Sequence, residues 1–404
     1  MFKKDIIDLL KRSNVPVAVI VPVGYNGILF SRALSKENVP VIGIFSSDKE
    51  CFYHTNSCKK IIVEDIQKDS FIELLVELGK LAKTKPVLIS VSDLEVLLFS
   101  KHRTRLEQYF LMNIPDRKMI DILMDKTEFY KWGHEKFSFP KTILVKSDSD
   151  FEKALDGIDY PIIFKPKYRN SQWLKLHLPK ANIFNNRQET TDFYNKAKEV
   201  EKHFVISEFI PGGDDHVETC HVYYRNGELL ATYVDQKIRQ NPPITGTGTF
   251  ISSCANDFIK NETIQIFNQM KFTGIGGMEY KKDSRTGKYK IIEPFSGRPS
   301  SHFYTGLGEG INLPYLVYCD IIGKEIPNYN QDFNKVVSQL DEEPDLRSAL
   351  YYIIKKELSL ADYLKSLKTT RLFVRFSLRD PLVGIVFCFR LLCLVIKKAN
   401  WGFK

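Results

Sequence analysis

The chain has 404 residues and a formal net charge of +9, with 43% apolar and 26% charged residues. That length exceeds one simple core and predicts two or three structural units in an ordinary globular protein. There is no low-complexity tract or internal repeat, the N-terminus lacks the apolar stretch of a secretory signal, and seven cysteines without a CxxC pair predict reduced thiols in a cytoplasmic protein rather than a zinc site.

The charge is uneven. From Arg371 onward, seven basic residues (Arg371, Arg375, Arg379, Arg390, Lys397, Lys398 and Lys404) stand against Asp380, so the tail carries +6 and the preceding 370 residues only +3. A basic tail on a nearly neutral body has to be explained, and no nucleic-acid partner is expected.

Residues 15–23 form an apolar run, followed by Gly24-Tyr25-Asn26-Gly27 and a helical pattern. PVIGIFS, an apolar helix over 71–81 and PVLISVS continue an alternation of strands and helices, which predicts a Rossmann-like parallel sheet over 1–115. The Gly24–Gly27 turn suits a phosphate or carboxylate at a helix N-terminus, but a plain strand-to-helix turn would use the same glycines. It is not GxGxxG, which argues against a nucleotide-dependent oxidoreductase. Asp93, directly after a strand, is expected to cap a helix.

From Asp116 the texture changes to short strands separated by turns, predicting an α+β region with antiparallel sheets over 116–328, followed by a helical extension over 329–404. Lys126 in MDKTEFY and Lys165 in YPIIFKP are unremarkable singly, although Lys165 projects from a stiff strand. ISEFIPGGDD is a strand entering a Pro-Gly-Gly break and then two acids. Its backbone can serve an adenine edge, and the acids can serve ribose hydroxyls.

The strongest pattern lies over 274–298. A hairpin with its turn centred on Thr286 sets Glu279 opposite Glu293 on one face of the sheet. At about 5 Å and an effective dielectric near 20, their repulsion is roughly 3 kcal/mol. A hard divalent cation would relieve it; a solvated pair balanced by Lys281, Lys282 and Lys290 is the plainer alternative. Arg298 adds a fork for phosphate. Lys237 and Arg239, ahead of a loop holding Gly246 and Gly248, suit an anionic substrate.

In this order the parts resemble the ATP-grasp superfamily, and within it carboxylate–amine ligases related to D-aspartate ligases, a group associated with bacterial cell-surface polysaccharides. The stretch EPFSGRPSS…GEGINLPYLVYCDIIG is similar to the end of that group's catalytic domain. The resemblance implies that Lys126 and Lys165 hold the α- and β-phosphates of ATP, that Glu208, Phe209 and Ile210 line the adenine, and that Asp214 or Asp215 takes the ribose. It further implies Mg2+ on Glu279 and Glu293, Arg298 at the γ-phosphate and acyl phosphate, and Lys237 and Arg239 at the carboxylate substrate. Two departures stand out. Phe295 occupies a position where the commoner pattern has asparagine, and the segment expected to cover the phosphates (167–182) has no glycine, leaving Lys180 and Ser171 as substitutes. The resemblance implies a ligase joining a small-molecule carboxylate and an amine; these departures motivate the alternative, a catalytically silent nucleotide-binding or scaffold protein.

The tail over 382–396 is fifteen residues, LVGIVFCFRLLCLVI, with Arg390 inside. As a helix it would be about 22 Å long, short of the roughly 30 Å hydrocarbon core. It is expected either to pack on the catalytic body or to lie on an anionic membrane face, with Arg375, Arg379, Lys397 and Lys398 at the lipid and Phe387, Phe389 and Trp401 in the interface. The sequence leaves the oligomeric state open.

Overall fold

The computed structural model describes residues 2–167, 171–176, 178, 181–327, 329 and 336–401. The first unit is a parallel sheet of β1 (Ala18–Val21), β2 (Val41–Phe45), β3 (Lys59–Ile62) and β4 (Val87–Ser90), in the order β3-β2-β1-β4. Strands β1, β2 and β4 are buried along their whole length. Helices cover both faces of such a sheet, so its inner strands read as unbroken apolar runs. β3 escapes that pattern because it lies at the edge and carries Lys59 and Lys60. After β1 the chain turns directly into the helix Tyr25–Lys36. A Cβ on Gly27 would sit 2.4 Å from the Pro22 carbonyl oxygen, so only glycine lets this helix start so close to the strand.

A second sheet, β5 (Thr142–Val145), β6 (Ile162–Pro166), β7 (Asn182–Phe184) and β8 (Phe204–Glu208), is antiparallel in the order β5-β8-β6-β7. It has its own core of Phe151, Phe164, Trp173, Tyr194 and Phe204. The third and largest sheet runs β13-β12-β9-β10-β11-β14-β15, built from β9 (Val217–Arg225), β10 (Glu228–Asn241), β11 (Thr247–Cys254), β12 (Gly274–Lys282), β13 (Tyr289–Ser296), β14 (Ser338–Leu340) and β15 (Leu372–Phe373). All its pairings are antiparallel except β14 with β15. One face packs on Leu123, Phe129 and the helix Asp257–Gln269, while Tyr223, Tyr233 and Ile275 join a core shared with the first unit through Phe30, Phe303 and Leu316.

The C-terminal extension is mainly helical (Glu342–Ile354, Leu360–Thr369 and Pro381–Trp401) and also contributes β14 and β15 to the large sheet. It returns to the first unit through Asp380. That buried carboxylate accepts from Arg32 Nε at 2.8 Å, Thr55 Oγ1 at 2.7 Å and the Asn56 backbone N–H at 2.9 Å. Arg375, which the membrane alternative put at the lipid, is buried, paired with Asp341 and stacked on Phe52 and Phe387, as the packed alternative has it. Phe387 is drawn into that contact and is only half-buried rather than free. The last helix is intermediate between the two expectations. Val383 is fully buried, whereas Leu382, Ile385 and Phe389 are 52%, 60% and 65% exposed. The side chains of Lys397, Lys398 and Trp401 lie outside the described residues. Among the described residues no helix is long and apolar enough to cross a membrane.

Candidate active site

A cavity of about 660 Å³ is lined by the β1 turn (Gly24, Tyr25 and Asn26), by Lys165 of β6, by the exit of β8, and by β10, β12 and β13. All three sheets therefore contribute to one space.

Lys126 and Lys165 both reach this cavity. Lys126 is the first residue of the helix Lys126–Gly133, which Asp125 caps by accepting the Thr127 N–H at 2.9 Å. Lys165 follows from strand alternation: Ile162 and Phe164 point into the core of the second sheet, and Ile163 and Lys165 face the cavity. Glu208, Phe209 and Ile210 leave β8 along the same wall. The Glu208 carboxylate accepts the Lys141 N–H at 2.8 Å, and Phe209 N–H donates to the Pro161 carbonyl at 3.1 Å, which fixes the turn. Phe129, Tyr130, Phe139 and Ile291 supply apolar surface beside it.

Glu279 and Glu293 are direct cross-strand partners, as expected, though by a different path. Next to the turn, Lys282 pairs with Tyr289 and Tyr280 with Ile291, one residue out of step with a turn centred on Thr286. A β-bulge at Ile292 absorbs the difference and restores the pairing of the two glutamates. Both line the cavity. Lys237 stands 2.7 Å from Glu279 and is buried, so this like-charged pair already has one internal counter-cation. Among the described residues no group of three or more His, Cys, Asp or Glu is placed to hold an ion. Two carboxylates lining one cavity fit Mg2+, which is bound through one or two carboxylates and takes its other oxygens from phosphate and water.

Arg298 lines the cavity and lies over the Phe295 ring at 5.9 Å, so phenylalanine at this position supports the guanidinium. The guanidinium is clasped by Asp93 at 2.5 and 2.9 Å. Asp93 is thus not the helix cap, a place taken by Ser92.

Three sequence expectations need correction. Arg239 does not reach the cavity. A bulge at Ile238 breaks the alternation of β10, so Lys237 and Gln240 face the cavity while Arg239 turns away. Arg239 is buried, forked on Asp345 at 2.9 and 2.8 Å and packed against Phe250 and Tyr363. Asp214 is also buried and used internally. It accepts from Gln240 N, Gln240 Nε2, Ile244 N and the Tyr352 hydroxyl, pinning the loop after β10. Asp215 is exposed beside His216, at 2.9 Å, and does not line the cavity. Lys180 and the side chain of Ser171 lie outside the described residues.

Other residues at the cavity were not assigned from sequence. Lys281 lies two residues after Glu279 on the same strand, and that spacing alone puts it on the same face. Burial lowers its pKa, with help from nearby Lys237, while Asp214 and Glu279 oppose the shift. His302, with Ser300 and Ser301, reaches the cavity from the loop after β13. No sequence spacing marks it, because its partner Asp235 is 67 residues away.

No protein-family model matches the chain. It is 24% identical over 276 residues to the D-aspartate ligase of Enterococcus faecium (strain Aus0004), a match spanning 64% of this chain and 65% of that protein, just under two thirds of its length. Among solved structures, it is similar to the biotin carboxylase domain of Hydrogenobacter thermophilus 2-oxoglutarate carboxylase (TM-score 0.65, 13% identity, 82% of this chain and 76% of that one). It is also similar to N5-carboxyaminoimidazole synthetase of Staphylococcus aureus complexed with ADP (TM-score 0.63, 15% identity, 85% and 86% of the two chains). With a parallel sheet, a small antiparallel lobe and a large antiparallel sheet around one cavity, the chain has the ATP-grasp fold of these structures.

Proposed function

We propose that the protein is an ATP- and Mg2+-dependent carboxylate–amine ligase, forming an amide through an acyl phosphate. The observation that carries this reading is the Glu279–Glu293 pair, with Lys237 at 2.7 Å from Glu279, in the same cavity as Lys126, Lys165 and the turn after β8. Bound Mg2+–ATP supplies the transferable phosphoryl group and neutralises charge at the two glutamates. Lys126 and Lys165 hold the phosphates, and Glu208, Phe209 and Ile210 bracket the base. Arg298, released from Asp93, meets the transferred phosphoryl group and the acyl phosphate. Lys237 and the helix N-terminus at Tyr25 face the carboxylate substrate.

The similarity to D-aspartate ligase supports an amino acid of that type as the carboxylate; the acceptor in this reading is a cell-envelope or polysaccharide amine, met in the cytoplasm. The exposure of Leu382, Ile385 and Phe389 on the last helix, together with exposed Arg371 and Arg379 in the same extension, supports peripheral attachment to an anionic membrane. A screen of amino acids for ATP-dependent ADP release, with hydroxylamine to trap the acyl phosphate as a hydroxamate, tests the ligase reading. Release of pyrophosphate instead would assign an acyl adenylate and refute it.

A further inference from the structure

Asp235 on β10 is fully buried and accepts three hydrogen bonds. They come from His221 Nε2 at 2.8 Å, His302 Nδ1 at 3.3 Å and Thr305 Oγ1 at 3.0 Å. Burial alone would raise the Asp235 pKa, but the two histidines outweigh it and bring it down to about 2, so the carboxylate is ionised at neutral pH. An ionised carboxylate only accepts, so each histidine presents an N–H to it, His221 from Nε2 and His302 from Nδ1. His221 is then finished chemically. Its Nδ1 is buried without a hydrogen-bond partner, and its ring is stacked on Tyr233 at 4.5 Å.

His302 differs because it lines the cavity. With Nδ1–H committed to Asp235, Nε2 is the ring nitrogen left to exchange a proton. It lies beside Gly248, where any Cβ would come within 2.7 Å of it. Only glycine at that point of β11 leaves room for the nitrogen. The other titratable groups influenced by Asp235 are Tyr25, Tyr233, Cys220 and Cys254, all raised mainly by burial, with Glu309 further out.

We infer that His302 Nε2 is the general base that deprotonates the incoming amine, with Asp235 as the residue that orients it and His221 and Thr305 holding Asp235 in place. The inference rests on the ligase reading above. An alkylammonium ion has no lone pair, so attack requires that its N–H proton pass to His302 Nε2. The free amine then forms the C–N bond as the C–O bond to phosphate breaks and inorganic phosphate leaves. His302 returns its proton to solvent. Overall, carboxylate, ATP and alkylammonium give amide, ADP, phosphate and one proton.

Long-range 1H–15N NMR of the histidines in the wild-type protein, assigned by the signal missing from His302→Gln, tests the geometry without any substrate. A His302 signal from the Nδ1–H form at neutral pH is expected, and an Nε2–H form overturns the inference. The kinetic test compares hydroxylamine, a free base at neutral pH, with a panel of primary alkylamines. His302→Gln should keep hydroxamate formation within about threefold and lose amide formation by about 100-fold or more. Equal losses with both nucleophiles indicate a purely structural role and overturn it. Wild-type protein that yields no hydroxamate with any amino acid overturns the ligase reading, and the inference with it, whatever the tautomer.

Discussion

The Arg298 guanidinium is held by the Asp93 carboxylate through two nitrogens, at 2.5 and 2.9 Å, joining the strand that carries Glu293 to the end of the parallel sheet. Asp93 is 54% exposed, so the pair is solvated and contributes at most about 1 kcal/mol. Arg298 can therefore exchange Asp93 for a phosphate at little cost. Asp93→Asn should leave the fold intact and tighten apparent ATP binding by up to about fivefold. Arg298→Gln should abolish ADP release. Calorimetric titration with ATP and Mg2+ checks both; weaker binding in Asp93→Asn would mean that the pair positions Arg298 rather than competing for it.

Glu293→Gln should reduce ADP formation by about 100-fold or more, because it removes one of the two negative charges available to Mg2+ while relieving cross-strand repulsion. Its melting temperature should be unchanged or higher. A melting temperature that falls together with activity would assign Glu293 a structural role.

Arg239 and Asp345 form an enclosed pair away from the cavity. Removing one partner leaves a buried charge, so Arg239→Ala should cost about 3–5 kcal/mol of stability. Below its melting temperature the variant should retain near-normal KM values. Urea denaturation and steady-state kinetics separate these outcomes, and a raised KM for the acid at normal stability would restore Arg239 to the substrate.

Asp235 has its pKa brought down from 3.8 to about 2 in the folded state. A lowered folded-state value means stability that is fully present above the unfolded value and lost as pH falls through the folded one. The contribution is about 2 kcal/mol. The stability advantage of wild type over Asp235→Asn should therefore shrink as the pH falls below about 4. Acid-dependent urea melts measure it; an advantage that grows on acidification would contradict the assignment.

On the last helix, Ile385 and Phe389 are exposed and make little contact with the body. Wild-type protein should float with anionic vesicles at low salt and less at high salt. Ile385→Asp with Phe389→Asp should abolish flotation without lowering the melting temperature. Absence of flotation at low salt would leave this face without a membrane role.

Local patterns carried much of this protein in its sequence. The apolar runs of β1, β2 and β4, the alternation that turns Lys165 to one side, and the hairpin that brings the strands of Glu279 and Glu293 together all depend on residues close in the chain, where strand periodicity acts directly. Tertiary structure decided what periodicity cannot encode. Bulges at Ile238 and Ile292 each shift a strand by one residue; the first turns Arg239 away from the cavity, and the second restores the glutamate pair. Asp214 and Arg375 look like free charges in the sequence, yet Tyr352 and Asp341, remote in sequence or brought in by the extension, consume them. His302 and Asp235 are separated by 67 residues and meet only because the loop after β13 folds back onto β10. A charged side chain's role depends on which partner reaches it first, and those partners are set by packing rather than by spacing along the chain.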